Sequence, residues 1–156
     1  METDQDILRE IDTAFGEVEK PEHFTDHHHC EECAEHDALL RSRTRETLQL
    51  ADVGNPGWNP LNFSSAQGIA YLMPALARLA LAPCSYGYDW YGDQLLFALS
   101  SGFSDNAVFL YSNRIQRKAV ARLLGHLIES RSVLIDNTRS ADEFLRAHTL
   151  WAESGE

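Results

Sequence analysis

The segment DHHHCEECAEHD, residues 26–37, concentrates side chains that bind metal ions. It holds four histidines, two cysteines and five acidic residues in twelve positions. Zinc in proteins takes about four nitrogen or sulfur donors, and Cys-x-x-Cys is a common half-site. On a helix, His29, Cys33 and His36 would share one face. The segment thus indicates a structural Zn²⁺ site, although no second Cys-x-x-Cys completes it. The candidate ligands are Cys30, Cys33, His29, His36 and His27.

Two other interpretations of Cys30 and Cys33 are open. The cysteines could be small apolar residues that face the core beside Leu40, with the histidines in solvent. They could also be a reactive thiol pair, but this requires a thiolate stabilised by positive charge or a helix N-terminus. The surrounding acidic residues are expected to raise the pKa of both thiols, whereas they favour a bound dication. A catalytic version of the metal site would use Glu32 or Glu35 as its base.

The excess of acidic over basic residues lies entirely in the N-terminal quarter of the chain. The net charge is −11, and residues 1–37 hold thirteen acidic residues against Arg9 and Lys20. Residues 38–156 hold eleven acidic and eleven basic residues. A field of this sign repels nucleic-acid phosphates and attracts basic protein surfaces. The charge therefore disfavours nucleic-acid binding and favours a basic protein partner.

Composition indicates one globular domain, residues 1–156, in the cytoplasm. The 44% hydrophobic and 10% aromatic fractions suffice for an ordinary core. No apolar stretch reaches the roughly 18 residues that span a bilayer, and the acidic N-terminus does not resemble a secretory signal. Three cysteines, an odd number, make a poor disulfide framework. Common nucleophile, phosphate-loop and dinucleotide motifs are absent, which lowers the expectation of an enzyme.

Hydrophobic periodicity predicts an all-α fold, an irregular helical bundle of about five to six helices. The predicted helices cover about residues 4–18, 29–50 with a break near 41–45, 65–82, 92–100, 114–129 and 140–153. Two short segments, NAVFLY (106–111) and SVLID (132–136), could form a minor extended pair.

Two helix starts carry capping-box spacing, in which the N-cap and the residue three positions later bond each other's backbone. Ser64 with Gln67 predicts one start, and Asn113 with Gln116 predicts the other.

An aromatic loop, SYGYDWYGD at residues 85–93, is a candidate partner-binding segment. Aromatic side chains often anchor protein interfaces, but they could equally fold back and cover the core. Acidic residues near the cysteines would complement a basic partner. The candidate partner-binding residues are Tyr86, Tyr88, Trp90, Tyr91, Glu31 and Glu35.

A basic face is predicted on the 114–129 helix, formed by Arg114, Arg117, Lys118 and Arg122. It could bind an anion or an acidic partner. It could also be a solvated face or pair with the acidic N-terminal helix of the same chain.

The stretches HCEECAEHDALLRSRTRETL (29–48) and IAYLMPALARLAL (69–81) resemble an uncharacterised family of small bacterial domains of unknown function. In that family a short acidic helix precedes a Cys-x-x-Cys-type segment, and a later helix carries a Tyr-Leu-x-Pro-Ala-like core. The matching residues here are Tyr71, Leu72, Pro74 and Ala75. The resemblance covers about residues 5–130. It implies an all-α fold and a bacterial origin, and no activity.

Together these features predict a small, acidic, non-enzymatic domain that docks a basic protein. Bacterial immunity proteins and inhibitors share this size and charge, which is an analogy rather than a homology. A metal-dependent enzyme that uses the His/Cys cluster is the alternative.

Overall fold

The structure, a computed structural model, describes residues 2–83 and 89–153. The described residues form nine α-helices and no strand, which confirms the predicted all-α class with more helices than expected. None of these helices has the length and apolar composition that crossing a membrane requires. The helices are α1 (Asp4–Phe15), α2 (Glu31–Arg41), α3 (Leu50–Val53), α4 (Ala66–Leu81), α5 (Tyr91–Ser100), α6 (Ala107–Tyr111), α7 (Arg114–Ser130), α8 (Ser132–Thr138) and α9 (Ala141–Glu153). Three 3-10 turns lie at Pro56–Trp58, Pro60–Phe63 and Phe103–Asp105.

The two segments predicted as a minor extended pair are helices α6 and α8, so that prediction is wrong. The Asn106 side chain accepts a hydrogen bond from the Phe109 backbone N–H at 3.0 Å and caps α6. Helix α8 buries only Ile135. Apolar runs this short do not distinguish a strand from a helix by periodicity, and the Asn106 cap favours the helix for α6.

One of the two predicted capping boxes is present. Asn113 and Gln116 form it at the start of α7. The prediction for α4 is wrong by one residue, because Ser65 is the N-cap. Gln67 instead donates a hydrogen bond to the Glu19 carbonyl at 2.9 Å, which ties α4 to the chain after α1.

Helix α4 lies at the centre of the hydrophobic core. Twelve of its sixteen residues are buried, and the helix continues through Pro74. Helices α1, α5 and α6 pack against α4, and α7 packs against α1 and α9. The core is one cluster of side chains that extends from Ile7 in α1 to Trp151 in α9.

Arg45 fastens the end of α1 to α4. Its Nε donates to the Tyr71 carbonyl at 2.6 Å, and its Nη2 donates to the carbonyls of Phe15 and Val18 at 2.7 and 2.9 Å. The guanidinium also lies 4.5 Å from the centre of the Tyr71 ring. This side chain therefore adds a donor to the Phe15 carbonyl, which also accepts the Val18 N–H at 3.1 Å, and joins the end of α1 to the middle of α4.

Polar contacts also join α1 to α7. The Asp4 carboxylate accepts two hydrogen bonds from Arg131, at 3.0 and 2.8 Å, and lies 2.7 Å from His126 Nε2. The hydrogen bonds from Arg131, aided by His126, lower the pKa of Asp4 to about 2. Near the other end of α1, Gln116 Nε2 donates to the Ala14 carbonyl at 3.2 Å.

The predicted basic face of α7 is partly used within the chain. Arg122 forms ion pairs with Glu2 and Glu10. Arg117 donates to the Phe109 carbonyl at 2.9 Å and covers the ring of the same residue. Of the alternatives for this face, pairing with the acidic N-terminal helix therefore accounts for Arg122.

Candidate metal-binding site

The first turn of α2 brings the two cysteines together. Cys30 is the N-cap residue of α2, and its Sγ accepts the Cys33 backbone N–H at 3.3 Å. The two Sγ atoms are also 3.3 Å apart. Cys30 is exposed, whereas Cys33 is buried with 4% of its surface exposed. A cysteine thus occupies the capping position that serine or aspartate usually fills.

His29 completes a group of three donors with Cys30 and Cys33. Its Nδ1 lies 3.6 Å from Cys33 Sγ, and the three donor atoms are all within 4.8 Å of one another. Tetrahedral zinc would set two sulfur ligands about 3.8 Å apart and a nitrogen and a sulfur about 3.5 Å apart. The observed separations are close to these values, so small side-chain movements would suffice to hold the ion.

Buried Asp37 holds the segment before α2 in place. Its Oδ1 accepts the backbone N–H groups of Phe24 and Thr25 at 2.6 and 3.1 Å, and its Oδ2 lies 2.7 Å from His23 Nδ1. The Thr25 hydroxyl in turn donates to the Cys33 carbonyl at 2.6 Å. Burial raises the pKa of Asp37, but the hydrogen bonds from His23, Thr25 and Phe24 outweigh it and hold the pKa below its ordinary value of 3.8.

Phe24 attaches the same segment to the core. Its ring is buried and meets the Tyr71 ring edge-on, with 6.3 Å between centres. Its carbonyl accepts the Ser65 N–H at 2.7 Å. A Cβ at Gly68 would come within 2.6 Å of the Phe24 ring, so the close approach depends on glycine at that position. The metal-ligand segment is therefore fixed to both α2 and α4.

The predicted ligand His27 lies in a second group, with His23 and Asp37. The rings of His23 and His27 stack with 3.9 Å between centres. Two ligands of a tetrahedral zinc through nitrogen and oxygen would be about 3.3 Å apart. The 2.7 Å between His23 and Asp37 corresponds to a hydrogen bond, and Asp37 also accepts two backbone N–H groups, so both of its oxygens are engaged. The cysteine group is therefore the better candidate for a metal ion.

The predicted ligand His36 belongs to neither group. Its side chain is fully buried, and Nε2 lies 3.0 Å from the Glu32 carboxylate. The ring contacts Trp58 and Phe63, with centres 4.6 and 5.0 Å apart. Its Nδ1 is buried and has no hydrogen-bond partner among residues 2–83 and 89–153. Because the ring is enclosed by the 3-10 turns that follow α3, His36 is omitted from the metal site.

The two thiols differ in acidity. The Cys33 backbone N–H, with help from His29, lowers the pKa of Cys30 to about 7. The hydrogen bond to Cys30 and burial raise the pKa of Cys33. The expectation that the acidic neighbours would raise both values is therefore wrong for Cys30, because the helix cap outweighs them. The pair could supply a thiolate ligand to a metal or be oxidised to a disulfide.

In the part of the aromatic loop that the structure describes, the side chains cover the core instead of anchoring a partner. Trp90 and Tyr91 are buried, with 4% and 2% of their surfaces exposed. Trp90 Nε1 donates to the Ala80 carbonyl at 2.8 Å. These two residues cover the core and offer no surface to a partner. Tyr86 and Tyr88 lie outside the described residues.

Exposed aromatic residues occur beside α2 instead. Trp58 and Phe63 each expose 42% of their surfaces and pack on His36. The predicted acidic residues Glu31 and Glu35 are exposed on α2. Sequence reasoning did not select Trp58 and Phe63, although large apolar side chains in a Gly-, Pro- and Asn-rich loop are a usable signal.

Comparisons with family models, with curated proteins and with solved structures find no match to this chain.

We expect Asp37→Asn to lower the free energy of unfolding by about 2 kcal/mol at neutral pH, because a neutral amide replaces a charged acceptor of buried N–H groups. Asp12→Asn, at an exposed position, is the matched control. Since the pKa of Asp37 is lowered in the folded state, its stabilisation is present above pH 3.8 and is lost as the pH falls below it. Urea unfolding at neutral and acidic pH should show the difference between wild type and Asp37→Asn narrowing in acid. A constant difference would contradict this assignment.

We expect Cys30 in the metal-free protein to react with iodoacetamide with a midpoint near pH 7, as its pKa of about 7 requires. Cys33 should react only at higher pH. Peptide-resolved mass spectrometry after short exposures measures both rates. In urea-unfolded chain both cysteines should approach the ordinary thiol pKa of 9.0. Equal midpoints in the folded protein would refute the role of the helix cap.

Proposed function

We propose that this chain is a small acidic, non-enzymatic protein-binding domain, similar in kind to immunity proteins and inhibitors, that docks a basic protein partner. We further propose that His29, Cys30 and Cys33 hold a structural zinc ion. The observation that carries the proposal is the contrast between acidic residues that are paired within the chain and those that are free.

The acidic residues of the first turns are largely neutralised. Asp4 binds Arg131, while Glu2 and Glu10 bind Arg122. Between the end of α1 and the end of α2, Glu32 and Asp37 pair with histidines, and the other six acidic residues are exposed and form no ion pair with a described residue; they are Glu17, Glu19, Glu22, Asp26, Glu31 and Glu35. Free negative charge is therefore concentrated after α1 and on α2. Charge of one sign on a surface steers and selects an oppositely charged partner.

Trp58 and Phe63 supply apolar contact area beside that charge. Both rings pack on His36, whose Nε2 faces the carboxylate of Glu32 on α2. Exposed tryptophan beside carboxylates favours arginine or lysine of a partner through cation–π and ionic contacts. The proposed docking surface is thus Glu31, Glu35, Trp58 and Phe63.

The proposed zinc ion has a structural role. It would join His29, in the turn before α2, to Cys30 and Cys33 in the first helical turn. Metal binding to such a set contributes directly to folding free energy. The described cysteines are free thiols, and a reducing compartment such as the cytoplasm, which keeps them so, is part of the proposal.

A second candidate function is a metal-dependent enzyme, which the number of metal-binding side chains favours. Three protein donors leave a fourth zinc position for water, and Cys30 is exposed. Glu32 is engaged by His36, so Glu35 remains as the base in this alternative. X-ray absorption of the zinc-loaded protein separates the candidates. Two sulfur and two nitrogen ligands indicate a closed structural site, whereas an oxygen ligand in the fourth position favours catalysis.

We expect about one zinc ion per chain by elemental analysis of protein purified without a histidine tag. Cys30→Ser/Cys33→Ser should lose the metal, and His29→Gln should bind it at least about tenfold more weakly because one of three ligands is gone. His28→Gln is the matched control, since His28 is the adjacent exposed histidine outside both donor groups. Wild-type protein without stoichiometric metal would refute the zinc site and leave the partner proposal standing.

We expect Glu31→Lys/Glu35→Lys to abolish retention of the basic partner from an extract of the source cells. Asp136→Lys/Glu153→Lys makes the same charge change at exposed positions at the ends of α8 and α9 and should leave retention intact. Proteins lost only with the first variant should be basic and should elute with added salt, since exposed charge interactions are screened. Identical retained proteins for both variants, or only acidic ones, would count against the docking surface.

A further inference from the structure

A cavity of about 540 Å³ lies between α7 and α9, away from the residues assigned above. Arg114, Lys118 and Arg122 line it at four-residue spacing, so three cationic side chains follow one face of α7. Cavities of this volume accommodate small organic molecules. A cationic wall is unexpected in a chain of net charge −11 and suggests an anionic ligand.

Two of these cations are free to bind a ligand. Arg114 and Lys118 are exposed and form no hydrogen bond or ion pair with a residue in the described ranges. The acidic Glu129 also lines the cavity, but at the far end of α7. The helix rise separates it from Lys118 by about 16 Å. At the other end, Arg114 and Lys118 line the cavity, and the Glu2 and Glu10 carboxylates nearby are paired with Arg122.

The opposite wall carries a histidine held close by a glycine. His148 of α9 is half-buried and forms no hydrogen bond with a described residue. A Cβ at Gly125 would lie 3.2 Å from His148 Nε2, tighter than most side-chain contacts. Glycine inside a helix costs about 1 kcal/mol relative to alanine. At this position it allows the imidazole to lie against α7, at the edge of the same cavity.

An anionic group of the chain itself already occupies the third cation. The Glu2 carboxylate lines the cavity and pairs with Arg122. Arg122 is therefore matched by Glu2 and Glu10, whereas Arg114 and Lys118 form no ion pair with a described residue. A ligand with two negative charges on one group suits Arg114 and Lys118 better than a single carboxylate does.

We propose that this cavity binds a small phosphorylated molecule. Arg114 and Lys118 bind the phosphate dianion, and His148, which lies beside Gly125 about 10 Å further along α7, contacts the rest of the ligand. Ala121, Gly125 and Ala152 form a small-residue floor for the rest of the ligand. The site is independent of the zinc ion and of the acidic docking surface, so its failure would leave both unaffected.

The test is calorimetric titration of the full chain with phenyl phosphate, phenyl sulfate and inorganic phosphate. We expect saturable one-site binding of phenyl phosphate. Phenyl sulfate should bind more weakly because it carries one charge fewer, and inorganic phosphate more weakly because it lacks the apolar group. Equal binding of phosphate and sulfate esters, or no saturable binding of phenyl phosphate at millimolar concentration, overturns the proposal.

Variants locate the binding. Arg114→Gln/Lys118→Gln should weaken phenyl phosphate binding at least about tenfold, since two charge-assisted contacts are lost. Arg41→Gln/Arg139→Gln removes the same charge at exposed positions outside the cavity and should bind as wild type does. Equal weakening by both variants would show unspecific charge attraction and overturn the site. In wild-type protein the amide signal of Gly125 should shift on titration, which tests the location without any substitution.

Discussion

The buried carboxylate of Asp37 is the constraint on which the candidate metal site depends. The segment before α2 has no regular secondary structure, so its backbone N–H groups need partners from elsewhere. Asp37 supplies them to Phe24 and Thr25 and binds His23 with its other oxygen. An ionised buried carboxylate is tolerated because every one of these contacts favours its charged form. The position of the segment relative to α2, and hence of His29 relative to the cysteines, follows from it.

The acidic excess serves two different physical purposes. In α1 the carboxylates act as structural partners for Arg122 and Arg131 and help to fix α1 against α7. Between α1 and the end of α2 the exposed carboxylates contribute a field rather than a contact, whereas Asp37 and Glu32 bind groups of the same chain. The net charge does not show which acidic residues form contacts and which stay in solvent, since residues of both kinds lie within a few turns of each other. Whether a carboxylate of the N-terminal quarter is a structural partner depends largely on whether it reaches Arg122 of α7 or Arg131, which follows α7.

The long helices were predictable because their apolar residues recur at the helical period, as in α1, α4, α7 and α9. The Asn113 cap was predictable because its partner is three residues away. Short helices such as α6 contain too few residues to show a helical hydrophobic period. The pairing of Asp37 with Phe24, thirteen residues earlier, and the enclosure of His36 by Trp58 depend on tertiary contacts that residue types do not encode. The sequence therefore selected the cysteines and His29, which the structure brings together, whereas the other two candidates, His27 and His36, lie outside that group.

The tethering of α1 has a consequence for the order in which the chain can assemble. Arg45 closes the last turn of α1, Gln116 bonds Ala14 across 102 positions, and Arg131 holds Asp4 across 127. Contacts between distant positions form late, because a long loop must close before they contribute. Arg45 follows α1 within about thirty residues, whereas Gln116 and Arg131 are synthesised much later. The contacts that join α1 to α7 are thus expected to form after the contact with Arg45.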